Sequence, residues 1–209
     1  MKNHTKIQLS GLEMKLVKNA RWILTKNEIV QKTKEVFDIL QAKQQLFLES
    51  VPDSLPAAVM KIPSKISKGE NYRGLPYLVL DYPRCFDKEN IFAIRTLFWW
   101  GNFFSITLHL SGVYKTELED RIIKAHSFLK RTDFSYCVHP GQWEHHFEKD
   151  NYISITSLDK KEWEKLVRSR GFIKLAQKIP LERWVDVPKI LLMRYRQIIT
   201  MLNTQLPSR

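Results

Sequence analysis

The segment 91–110 constrains this chain most. Two runs rich in β-branched and aromatic residues, 91–100 and 103–110, flank Gly101-Asn102, the composition of a two-residue turn with positive φ at its centre. A β-hairpin follows. A two-residue turn sets Trp99 opposite Phe104, Leu97 opposite Ile106, Arg95 opposite Leu108 and Ala93 opposite Leu110, which makes one apolar face. The other face then pairs Trp100 with Phe103, Phe98 with Ser105, Thr96 with Thr107 and Ile94 with His109.

Periodicity places the remaining elements around this hairpin. A short helix is expected at 12–23 and a stronger one at 27–49, with Ile29, Val36, Leu40 and Phe47 on one stripe. Pro52, Pro56 and Pro63 then break the chain, so 50–75 reads as an irregular connection. A strand at 77–82 precedes the hairpin. After it, Thr116 and Glu119 form the pattern of a capping box for a helix to about residue 130, with Leu118, Ile122, Ala125 and Leu129 inward. Strands at 134–139 and 152–156, a helix at 159–170 closed by Gly171, and a strand at 172–179 follow. Asp186 and Pro188 start a terminal helix whose stripe is Leu191, Tyr195, Ile198 and Leu202. Without regular βαβ units, this order predicts an α+β fold, a mainly antiparallel sheet built around the hairpin 91–110 and covered by amphipathic helices. The 209 residues are expected to form a single domain, with N-terminal helices 12–49, the connection 50–75 and an α/β body 76–209.

The chain carries 34 Lys+Arg against 22 Asp+Glu, a formal charge of +12. Nine basic and five acidic residues lie in 1–50, and twelve basic and five acidic in 159–209, so the excess sits on the terminal helices and the hairpin region is nearly neutral. Such a surface favours an anionic ligand or nucleic acid, or simply keeps the protein solvated. The stretch 1–11 has no apolar core of a signal peptide, and no window is apolar enough to span a membrane, so cytoplasmic residence without membrane partners is expected. Cys85 and Cys137 belong to no CxxC pair, which argues against disulfide scaffolds and zinc ribbons. Neither a GxxxxGK[ST] nor a GxGxxG phosphate loop nor a GxSxG elbow occurs. No cofactor is implied.

Arg95 is the sharpest anomaly, because a guanidinium on an apolar hairpin face needs a carboxylate, carbonyls or an anionic ligand. Asp81 is the nearest candidate partner, and Arg84 ends the same preceding strand. The second candidate is the stretch 139–148, where His139, Glu144, His145, His146 and Glu148 gather. Such a cluster suits acid–base work, yet its spacing matches no established metal pattern, so no metal is expected and an exposed polar loop is the plainer reading. Cys137 and His139 share a strand face, but a direct thiol–imidazole bond between them would be strained.

Three functions are compatible with these residues. The leading one is a non-catalytic binding or interaction domain with a basic helical surface. An enzyme acting on an anionic small molecule would hold it with Arg95 or Arg84 and move protons with His109 or the 139–148 histidines. A homo-oligomeric scaffold would join through the hairpin aromatics Trp100 and Phe103.

Overall fold

The computed structural model describes residues 7–52 and 54–203; the first six residues of the polar stretch 1–11 lie outside it. Among the described residues, seven α-helices and seven strands follow in the order α1 (Gly11–Val17), α2 (Ala20–Glu49), α3 (Ala57–Met60), β1 (Lys65–Tyr72), β2 (Leu75–Phe86), β3 (Ile91–Trp99), β4 (Phe103–Ser111), α4 (Val113–Lys124), α5 (His126–Arg131), β5 (Ser135–Cys137), β6 (Tyr152–Ser154), α6 (Lys160–Ser169), β7 (Phe172–Pro180) and α7 (Val187–Leu202). The strands form one sheet in the order β1-β2-β3-β4-β7-β5-β6, and every pair is antiparallel. The fold is α+β with the hairpin at its centre, as the sequence predicts.

The hairpin register differs from the expected one. Trp99 pairs with Phe103, Leu97 with Ser105, Arg95 with Thr107 and Ala93 with His109, because the turn spans three residues, Trp100, Gly101 and Asn102. Only Gly101 takes positive φ (70°), whereas a two-residue turn of the expected kind needs it at both central positions. The slip by one residue moves the whole of β4 to the opposite face. Phe92, Ile94 and Phe98 now share a face with Phe104, Ile106, Leu108 and Leu110, all at most 2% exposed. Arg95 shares the other with Thr107 and His109.

That apolar face packs beneath α2, α4 and α7. The buried spine of α2 is Thr33, Phe37, Leu40, Gln44 and Leu48, about a sixth of a turn from the expected stripe, since Val36 and Phe47 only flank the core. In α7, Leu191, Tyr195, Ile198 and Leu202 are buried as expected. The connection 50–75 is not irregular throughout: α3 occupies its middle, and Lys65–Tyr72 is an edge strand on β2. Its composition, KISKGENY, is polar because the strand is only partly buried. Nor does Thr116 cap a helix. α4 starts earlier, at Val113 with Gly112 as its N-cap, and the Thr116 hydroxyl donates to the Gly112 carbonyl in the first turn (3.2 Å). Helix α6 does open on a capping box, Asp159 with Glu162, but Gly171 is not left-handed behind it.

Candidate functional site

The second face of the sheet is covered by the loop 138–151 instead of helices. Antiparallel register brings two rows of residues together beneath it. One runs Asp81, Arg95, Thr107, Ala176 across β2, β3, β4 and β7; the next runs Ala93, His109, Lys174. Toward the hairpin tip the same face becomes apolar, with Val79, Leu97, Trp99 and Phe103 in one cluster against Phe147 of the loop.

Arg95 meets Asp81 through two parallel bonds, Nε to Oδ1 at 2.7 Å and Nη2 to Oδ2 at 2.8 Å. Its remaining Nη1 reaches His145 Nε2 at 3.2 Å. Since guanidinium can only donate, His145 accepts there and carries its own proton on Nδ1. Burial, with Lys174 and Arg95 nearby, holds His145 well below its ordinary pKa. His109 is 5% exposed and donates from Nε2 to the Gln142 side-chain oxygen (2.9 Å). Burial pushes its pKa down to about 4, with the cations Lys174 and Arg95 contributing. Both imidazoles are therefore neutral at pH 7.

Lys174 is the residue sequence reasoning missed. It is 1% exposed, and its ammonium donates to the carbonyls of Gln142 (3.1 Å) and Glu144 while lying 5.6 Å from the Tyr152 ring centroid. Burial lowers its pKa to about 8. The available signal was alternation: Ile173 and Leu175 are core, so Lys174 must sit on the opposite face of a central strand. Tyr72 completes the strap. Its hydroxyl accepts from the backbone N–H groups of His145 (2.7 Å) and His146 (3.1 Å) and donates to Glu144 (3.0 Å).

The other predicted residues disperse. Arg84 Nε donates to the Pro63 carbonyl (3.2 Å), tying β2 to the α3–β1 connection. Trp100 lies edge-on to Trp22 of α2 (6.3 Å, 90°), and Phe103 is 6% exposed between Trp99 and Phe147. His139 Nδ1 accepts from the Gly141 N–H (3.0 Å), whereas the buried thiol of Cys137 turns to Asn151 (3.2 Å). The loop is thus not an exposed polar excursion: His146 is 2% exposed, with Nδ1 3.6 Å from Glu148 and 3.7 Å from Asp150. Potential metal-ligating atoms of these three lie within 4.8 Å of one another. Two competing contacts already engage them, since Glu148 N–H points at His146 Nδ1 (3.4 Å) and Arg73 holds the Glu148 carboxylate (2.9 Å).

On the helical side of the molecule, α4, α5 and α7 enclose a cleft of about 940 Å³. Arg121, Lys124, Arg131 and Arg196 line it against Glu117 and Asp120, with Phe128 and Met201 among its apolar walls. Arg121 is anchored on the Asn203 carbonyl (2.8 Å), and Arg196 lies over the Phe47 ring (5.3 Å). Lys124, Arg131 and Arg196 form no ion pair among the described residues. No described helix is long and apolar enough to cross a membrane. No protein-family model, curated protein or solved structure matches this chain.

Proposed function

We propose that this protein is a binding domain for a phosphate-bearing ligand, nucleic acid included, seated in the cleft between α4, α5 and α7. The observation that carries the reading is the convergence there of four cationic side chains on two acidic ones, in a concavity of ligand size with apolar walls. Among the described residues, three of those cations have no carboxylate partner, so an incoming phosphate displaces no such ion pair. The overall charge of +12 adds long-range attraction for the same class of ligand.

The enzyme reading has less support. Arg95, His109 and His145 do meet on one sheet face, but Arg95 is held by Asp81 and His145, and the Nε2 atoms of His145 and His109 are taken by Arg95 and Gln142.

Fluorescence anisotropy with a labelled single-stranded RNA and with a labelled nucleotide tests the proposal. Binding that weakens steeply with salt, and that falls about tenfold or more in Lys124→Ala/Arg131→Ala/Arg196→Ala, is expected from three phosphate contacts. Affinity for both probes that is absent, or unchanged in the triple variant, overturns it.

A further inference from the structure

The chain's apolar residues are not all spent on the core. Nine large hydrophobic side chains between residues 7 and 24 are exposed. Helix α1 buries none of its residues. Across α1 and the first turns of α2, Leu12 is 68% exposed, Leu16 51%, Val17 69%, Ile23 51% and Leu24 60%. Trp22 is half-exposed even with its edge on Trp100. A seven-residue helix has little stability of its own in water, so α1 is an element that gains by being covered.

Charge selects the cover. Residues 7–26 hold Lys15, Lys18, Arg21 and Lys26 against Glu13 alone. At about 100° per residue, Lys15 of α1 and the C-cap Lys18 lie about 60° apart, on the flank next to Leu12 and Leu16. In α2, Lys26 turns back to Glu70 (2.5 Å), leaving Ile23 and Leu24 outward. A second copy of this arm would bring like charges together. An anionic surface matches the cations and takes the leucines and the indole without demanding a shaped groove. Short helices with basic flanks and Trp or Leu on the apolar side meet those conditions at a lipid–water interface.

We infer that residues 7–24 form an interfacial arm that docks the protein on the surface of an anionic lipid bilayer. The arm lies in the interface and does not span it, and the reading is independent of the cleft.

Co-sedimentation of the full chain with vesicles of phosphatidylcholine alone, and of phosphatidylcholine with phosphatidylserine, tests this alongside Trp emission. Binding to the anionic vesicles only, with a blue shift, is expected. Lys15→Glu/Lys18→Glu should weaken it by about fivefold or more per charge, and Leu12→Glu/Leu16→Glu/Leu24→Glu should abolish it. Because these side chains are exposed, unchanged thermal unfolding will show that the variants fold. Failure to bind anionic vesicles overturns the inference, as does binding that survives both sets of substitutions. A dimer in light scattering that the leucine variant dissolves, without vesicle binding, also overturns it and assigns the arm to a second copy. Lys124→Ala/Arg131→Ala/Arg196→Ala should leave vesicle binding through the arm in place, which separates this inference from the cleft.

Discussion

Arg95 and Asp81 stand directly opposite each other on β3 and β2 and share two hydrogen bonds of 2.7 and 2.8 Å, with Asp81 buried and the Arg95 side chain 20% exposed. The pair is what lets an arginine occupy the centre of a seven-stranded sheet.

Breaking one side of it should be worse than removing both. Asp81→Asn leaves the guanidinium short of a counter-charge and is expected to cost about 3 kcal/mol in urea unfolding. Arg95→Met with Asp81→Leu should recover much of that loss; a double variant no better than the single one would contradict the pairing argument.

Acid should destabilise the sheet face through its neutral histidines. His109 has a folded pKa of about 4 against 6.5 for the free side chain, so between these values the unfolded chain takes up the proton and the folded one does not. Its contribution is complete above pH 6.5 and fades as pH falls toward 4, by about 3 kcal/mol. His145 shifts in the same direction. Urea titrations at pH 7 and pH 4.5 should show the loss, and His109→Gln should show less of it.

Lys174 fastens the loop from below. Lys174→Met removes the donor to the Gln142 and Glu144 carbonyls, leaving buried acceptors unsatisfied at about 1–3 kcal/mol. Amide exchange across 139–150 and trypsin cleavage after the exposed Lys149 should both accelerate, with α7 unaffected. Equal acceleration in α7 would mean that the lysine supports the whole fold.

Of the glycines, Gly112 leaves the least room for a Cβ. It has φ of 58° and ψ of −133° at the start of α4, and a Cβ there would meet Asn90 Oδ1 at 2.2 Å and the Glu89 carbonyl at 2.5 Å. Gly112→Ala should cost about 2 kcal/mol or more, readable as a fall in Tm, whereas Gly171→Ala, with open space around it, should change little.

What the sequence revealed follows from the range of the forces involved. The hairpin and the stripe of α7 rest on local periodicity and were legible, as was the Asp81–Arg95 pair across neighbouring strands. The register was not, because Gly101-Asn102 serves a two- or a three-residue turn equally well in composition. Strand β1 was hidden because an edge strand with few buried side chains carries little apolar alternation. The loop's role was hidden too: nothing local says that residues 142–146 lie over Lys174 and Arg95, nor that Lys124, Arg131 and Arg196 converge from three helices.

The polar composition that concealed β1 also determines what can be laid beside it. The outermost strand of a sheet offers an unsatisfied row of N–H and C=O groups, a template for uncontrolled growth. Here that row is flanked by Lys65 and Lys68 with Glu70, and another molecule adding its own β1 in parallel register would crowd lysine against lysine. Lysines on this edge disfavour such growth, and Lys65→Val/Lys68→Val is the substitution expected to lower the barrier there.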